Sequence, residues 1–324
     1  MQGPSPISAS AQSGFSLPLV LLVIGALAGA SVLATLAARG QARGAAAGTG
    51  LAQADALADA GVALALLELD RHRTPGRNGA NTQPGRWSLT CRIDPGTLSV
   101  TTQDEGGKID LNFADARLLT AIFVGIGLER SRAQAIADAI IDFRDPDDER
   151  QPSGAERAEY VEAGRSAGPK NARFTDAAEV RAVLGMTQDL ADRISPYVTV
   201  HSARDGIDPA VADAALVALL VRGDAQAGFT SADGQDGPTR GASDTALPPQ
   251  FVQPSLRRYY TITADARLAR ARFVREALVD SSAIAASTAG SRHAVSRYRF
   301  WSWRRRDSAG ADEAPAGTPP LPPC

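Results

Sequence analysis

The chain has 324 residues, with 34 Lys and Arg against 36 Asp and Glu and a formal net charge of -2. That balance supplies no global basic field for nucleic acid, and the length suits an anchor followed by two domains of modest size. Three histidines (His72, His201 and His293) and two cysteines are too scattered for a zinc site. Cys91, within an expected strand, reads as a core thiol and Cys324 as an incidental terminal one, with a disulfide between them as the less favoured alternative.

Residues 15–38 hold no charged side chain. At about 1.5 Å per residue such a helix crosses a hydrocarbon core of roughly 30 Å, and no other stretch is expected to do so. Ser13, Gly14, Phe15, Ser16 and Leu17 stand at the border between a polar leader, residues 1–14, and this run. The border resembles a prepilin processing site, where a membrane peptidase cuts after Gly and methylates the new N-terminal Phe. An ordinary signal peptide or membrane anchor is the alternative. Prepilins usually carry Glu at the fifth mature position; here it is Leu19. In a packed fibre the buried ammonium of Phe15 needs a carboxylate partner. A subunit with Leu19 has none to offer a subunit ahead of it, which suits it to the end of a fibre. Leu19, Leu22 and Val23 are the candidate membrane and assembly residues. The leader lacks Lys and Arg, while Arg39 and Arg43 follow the helix, a pattern that by charge alone favours the opposite orientation.

Helical spacing continues through residues 39–70, with Leu51, Leu57, Leu64 and Leu67, until the Pro- and Gly-containing residues 71–85 end it. Trp87, Leu89, Cys91 and Ile93 alternate with polar residues, a half-buried strand. Asp94, Pro95 and Gly96 mark a turn, residues 97–102 return, and residues 108–112 form a third short strand. These make residues 86–112 the first part of a sheet. Residues 113–223 read as helical: one helix capped by Asp115, a second over 133–143, a third capped by Thr175, then Leu190 and Ile194, then 209–221. Residues 224–250 read as a flexible linker. Strands resume over 251–303, with a turn near Asp265 and an edge strand at 297–303. Residues 304–324 read as a disordered tail.

Two stretches could carry chemistry. Gly125, Ile126 and Gly127 between helices resemble a helix-hairpin-helix, whose backbone amides meet DNA phosphate. Glu129, Asp138, Asp142, Asp145, Asp147 and Asp148 crowd the same unit and oppose that use, and a tight helix turn explains the glycines as well. The second stretch holds Asp142, Asp145, Asp147, Asp148 and, beyond Pro152 and Gly154, Glu156. Oxygen ligands on a bent loop suit Ca²⁺, although the spacing is not that of an EF-hand. A solvated acidic loop, or Arg144 pairing with its neighbours, is the alternative. No nucleophile with a His and Asp setting and no phosphate-binding loop is present, so no enzymatic activity is expected.

Together the order Lys108-Ile109-Asp110-Leu111-Asn112, Leu118-Leu119, Ile141-Asp142-Phe143-Arg144-Asp145-Pro146-Asp147-Asp148-Glu149, Tyr160, Pro169-Lys170-Asn171 and Pro196-Tyr197-Val198-Thr199-Val200 resembles the minor pseudopilin K family of bacterial type II secretion systems. Phe143 stands where Trp is common in that family. The resemblance implies an α+β fold: a pilin-like N-terminal helix on an antiparallel sheet, with a large helical domain of helix-hairpin-helix or SAM-like type inserted between strands. It implies a non-enzymatic subunit that caps the pseudopilus with pseudopilins I and J and supports export of folded proteins. Other pseudopilus subunits and the prepilin peptidase would be partners, and nucleic acid would not. The chain would cross the inner membrane once, with its bulk in the periplasm, and calcium could be held by Asp142, Asp145, Asp147, Asp148 and Glu156. A membrane-anchored helix-hairpin-helix DNA receptor is the alternative function.

Overall fold

The computed structural model describes residues 16–73, 85–94, 96–228, 247–268, 271–282, 298–306, 322 and 324. The leader, the Gly14–Phe15 border, residues 229–246 of the expected linker and nearly all of the expected tail lie outside these residues.

The first helix, α1, runs unbroken over Ser16–Arg73, 58 residues, about 87 Å at the usual rise. Its span Leu19–Arg39 is long and apolar enough to cross a membrane, and none of it is buried within the protein. Gly48–Arg71 passes the same test of length and composition, so residues 15–38 are not alone in doing so. That second stretch has another occupation. Ala54, Ala58, Val62, Ala65 and Leu69 recur at helical spacing and are buried against the sheet. Small residues bring the helix close: a Cβ on Gly61 would stand 3.0 Å from Leu98, Val100 and Ala264 side-chain carbons.

Strands β1 (Arg86–Ile93) and β2 (Gly96–Asp104) form a hairpin. A two-residue strand β3 (Ile109–Asp110) follows, then helices α2 (Ala116–Gly125), α3 (Arg130–Arg144), α4 (Arg157–Glu162) and α5 (Gln188–Ile194), strand β4 (Val198–Thr199) and helix α6 (Ala214–Ala227). The chain then returns as β5 (Tyr259–Leu268), β6 (Ala271–Asp280) and β7 (Arg299–Arg306). The main sheet is antiparallel in the order β1-β2-β5-β6-β7. The helices thus stand, in the chain, between the second and third strands of that sheet. They have their own core, built on Leu118, Ile122, Phe123, Ile136, Ile140 and Leu220 among others.

Several local expectations change. β3 pairs in parallel with β4 rather than joining the main sheet, because Asp110 and Asn112 are held by Ser202, Ala203 and Phe174 of the helical block. β5 continues straight through Asp265, whose carboxylate takes ion pairs from Arg267 and Arg272 at 3.1 and 2.9 Å. These two arginines neutralise a residue that otherwise signals a turn. The third expected cap shifts from Thr175 to Asp176, whose carboxylate accepts from the Ala178 amide, and the turn it starts is 3₁₀ rather than α. The last helix begins after Asp213, which caps it, and extends to Ala227 within the expected linker, ending on Gly228 in the left-handed region at φ 64°. Residues 304–306 belong to β7.

The cysteines depart most from expectation. Cys91 and Cys324 are joined in a disulfide across a sequence separation of 233. The Arg92 amide donates to the Pro322 carbonyl at 2.8 Å, and the Cys324 amide to the Arg92 carbonyl at 3.2 Å. Sequence spacing carries no sign of this, because the two residues meet only when the end of the chain lies along the outer edge of β1.

Candidate functional site

The acidic loop begins where α3 ends. Asp138 and Asp142, one turn apart on α3, both point at the following loop rather than at solvent. Asp138 accepts from the Ser153 amide at 3.0 Å; Asp142 accepts from the Gln151 and Ala155 amides at 2.9 and 2.7 Å. A Cβ on Gly154 would come within 2.0 Å of the Asp142 carboxylate, so only glycine lets the loop close over it. Burial pushes the Asp142 carboxyl up, partly offset by those two amides. Asp142 is therefore a staple for the loop, not an outward-facing group.

The remaining acids are less satisfied. Asp147 accepts from the Glu149 amide at 2.9 Å, and Asp148 from the Asn171 side-chain amide at 2.9 Å. Glu156, only 7% exposed, precedes α4. Its amide donates to Glu159 at 2.9 Å, but both of its own carboxylate oxygens are buried without a hydrogen-bond partner. Asp145 Oδ1 and Asn171 Oδ1 are orphaned in the same way. Burial, then the charges of Asp142, Asp145, Asp148 and Asp147, push the Glu156 carboxyl up to about 7. Burial followed by Asp147 and Asp142 raises Asp145 as well.

Arg144 offsets the upward shift at Asp145 only in part and makes no ion pair with these acids among the described residues. Its guanidinium turns away and donates to the carbonyls of Leu111 and Ala114, the latter at 2.7 Å. The expected pairing of Arg144 with the neighbouring acids is replaced by a structural role at the start of the helical block. Buried oxygens without donors, set among carboxylates that repel one another, fit a hard cation taking oxygen ligands. Among the described residues, however, no three His, Cys, Asp or Glu side chains converge at metal-ligating geometry. Asn171, with a positive φ of 47°, turns its amide into the same place, an oxygen donor that the run of acidic residues does not mark. An αL-favouring Asn directly before the returning chain was the available signal.

The motif Lys108-Ile109-Asp110-Leu111-Asn112 is a joint. Asp110 accepts from the Asn112 and Ala203 amides at 2.9 and 2.8 Å and from Ser202 Oγ at 3.2 Å. Asn112 donates to the Phe174 carbonyl at 3.0 Å and accepts from its amide at 2.7 Å. Lys108 pairs with buried Glu105 at 2.6 Å. Glu105 also accepts from Thr261 of β5 at 2.7 Å and from Thr199 of β4. Burial alone would raise this carboxyl; Lys108 and the two hydroxyls overcome that and hold it below its usual range. Glu105, which the sequence reading passed over, thus links sheet and helical block. Between them lies a cleft of about 710 Å³ lined in part by Thr101, Lys108, His201, Thr263 and Trp301. It is crossed by the ion pairs Arg86–Asp213 and Arg304–Asp176.

The helix-hairpin turn uses its amides internally. The Ile126, Gly127 and Leu128 amides donate to the carbonyls of Ile122, Val124 and Phe123 at 3.0, 2.8 and 3.0 Å. Its Gly125 and Ile126 carbonyls accept from Arg222 and Arg193. Those amides therefore point at the end of α2, where a phosphate cannot take them. Gly125 also serves packing, since a Cβ there would meet the Leu219 carbonyl oxygen at 2.2 Å.

At the other end of the molecule, Leu19, Leu22 and Val23 are exposed, Leu22 to 69%. An apolar surface this continuous suits lipid or another apolar helix.

These features define a mixed α+β protein whose N-terminal helix is apolar enough to anchor it in a membrane and whose antiparallel sheet is accompanied by an acidic helical block. Residues 99–203 match the family model of the type II secretion system (T2SS), protein K. The match takes in residues 99–104 of β2, the Glu105–Lys108 joint, the acidic loop and β4. Type II secretion system protein K of Dickeya chrysanthemi is 38% identical over 85 residues, 26% of this chain and 23% of the relative. Its counterpart from Pectobacterium carotovorum subsp. carotovorum is 25% identical over 148 residues, 41% of this chain and 45% of the relative. The chain spans less than half the length of either curated relative it matches. A chain in the crystal structure of the GspK-GspI-GspJ complex from the enterotoxigenic Escherichia coli Type 2 Secretion System aligns at 20% identity with a TM-score of 0.48, covering 84% of this chain and 99% of that one.

Proposed function

We propose that this chain is a non-enzymatic minor pseudopilin of a type II secretion system. Prepilin peptidase would cleave after Gly14 and methylate Phe15. The apolar start of α1, with Leu19, Leu22 and Val23, would hold the protein in the inner membrane before it packs among other pseudopilus subunits. Sheet and helical block would lie in the periplasm as a pilin-like fold with an inserted helical domain. The carrying observation is the family match over residues 99–203, which covers the acidic helical segment standing between β2 and β5. Leu19, where a carboxylate would serve a subunit ahead, supports the end position. At the tip the chain would cap the fibre beside pseudopilins I and J, helping folded proteins cross the outer membrane.

In this reading the acidic loop holds calcium. Asp145, Asp147, Asp148, Glu156 and Asn171 would hold it, while Asp142 orients the loop through the Gln151 and Ala155 amides. Bound there, calcium would offset the mutual repulsion of carboxylates that Arg150, paired with Glu159, does not reach.

Intact mass of the protein purified from membranes containing its own prepilin peptidase tests the reading. A mass matching residues 15–324 plus one methyl group, with pseudopilins I and J co-purifying, is the expected result. A full-length mass without either partner would overturn it.

A further inference from the structure

The two edges of the main sheet are finished differently. The β1 edge is covered at one end: residues 322 and 324 exchange backbone hydrogen bonds with Arg92, and the Cys91–Cys324 disulfide holds them there. The β7 edge carries no strand or chain segment among the described residues. Among the described residues, no backbone hydrogen bond reaches the outer side of Arg299–Arg306. An exposed strand of this length is a template for another strand.

The side chains on β7 are specific. Phe300 and Trp303 are 42% exposed and Trp301 is 52% exposed. Register places Trp303 beside Ala277, on the face that carries α1. Trp301 lies on the opposite face with His201 and Tyr259, at ring distances of 6.3 and 6.2 Å. Half of the strand is arginine. Arg304 and Arg306 reach Glu276 at 3.6 and 3.2 Å, and Arg304 also reaches Asp176 at 3.2 Å. Arg299 and Arg305 have no ion-pair partner among the described residues. Their guanidinium groups lie over Trp301 and Phe273, at 5.3 and 5.1 Å. Arginines alone would serve to keep strands away. Three exposed aromatic side chains would not, since they favour contact.

We propose that the β7 edge is a docking site for an acidic, extended segment of a partner protein. The segment would add a sixth strand by backbone pairing. Its carboxylates would meet Arg299 and Arg305, and its apolar side chains Phe300, Trp301 and Trp303. The charge surplus selects the acidic partner, and among the described residues β7 is the sheet edge with no backbone partner along its outer side, whereas β1 is covered at Arg92. This inference stands apart from the fibre reading, because it rests on sheet geometry and not on the anchor or the acidic loop.

The test uses the full chain in detergent micelles, with hydrogen exchange followed by mass spectrometry. The probe is a blocked nonapeptide with pairs of Glu and pairs of Val in turn, so that each face of the added strand carries both, and its control has the central residue replaced by Pro. Expected is saturable binding with slowed exchange across residues 299–306. Binding should weaken at least tenfold with the Pro control and in the double variant Arg299→Glu, Arg305→Glu. Three results would overturn the proposal: no saturable binding, equal binding of the Pro control without protection of β7, or a concentration-dependent dimer that protects β7 without peptide. The last would assign the edge to a second copy of this chain.

Discussion

Glu156 shows most directly how burial and charge act on one side chain. Its carboxyl titrates near 7 in the folded chain instead of the ordinary 4.5. The folded state therefore binds a proton more readily than the unfolded state across that interval. The associated stability is fully present below about pH 4.5 and is lost as pH rises through about 7. The upper bound is about 3 kcal/mol at 1.36 kcal/mol per unit. Without calcium, thermal stability should fall between pH 5 and pH 7.5, and added calcium should reverse the loss. Glu156→Gln should flatten the pH dependence and abolish the calcium response; identical melting curves for variant and parent would refute this account. A second residue-scale prediction concerns close packing. A Cβ on Gly223 would stand 1.8 Å from the Ala121 carbonyl oxygen where α2 and α6 cross. Gly223→Ala should cost about 3 kcal/mol in urea unfolding. Gly48→Ala, with nothing within 4 Å, should be neutral or slightly stabilising.

Among the elements, α1 and the covered sheet edge depend on long-range contacts. α1 is held to β6 by Arg275, which pairs with Asp59 at 2.8 Å and with Asp55. Two acids within a run apolar enough to cross a membrane thus have a partner outside it. The edge of β1 depends on the disulfide. Joining residues so distant in sequence restricts the unfolded chain strongly, so Cys324→Ser should lower stability by about 2–4 kcal/mol. Urea midpoints with and without reductant check this: the parent should shift on reduction and the variant should not. A reductant-insensitive parent would mean the bridge contributes nothing.

At the scale of the whole molecule, two hydrophobic cores meet at a small polar joint. One lies between α1 and the sheet; the other fills the helical block. Glu105, Lys108, Thr199 and Thr261 connect them, with the ion pairs of Arg86 and Arg304 farther out. Because the acidic loop belongs to the helical block, chelation should loosen that block alone if the loop holds calcium as proposed. Amide exchange should accelerate around residues 136–160 while β2 and β5 keep their protection. Uniform acceleration over both regions would show that the two cores unfold as one.

Local pattern was enough for what depends on neighbours in the chain. The charge-free run, the helical spacing of residues 39–70, the alternation of Trp87, Leu89, Cys91 and Ile93, and the Asp115 cap all express one element's own periodicity. The family resemblance was legible for a related reason: the joint motif and acidic loop are compact runs. Tertiary structure decided the rest. Asp142 is spent on backbone amides that return nine to thirteen residues later, and Arg144 turns to carbonyls some thirty residues earlier. Asn171 enters the acidic loop from beyond α4, Asp265 is kept in a strand by two arginines, and Cys324 finds Cys91 across a sequence separation of 233. In each case the deciding partner is distant in sequence, and its approach is set by packing that no local spacing encodes.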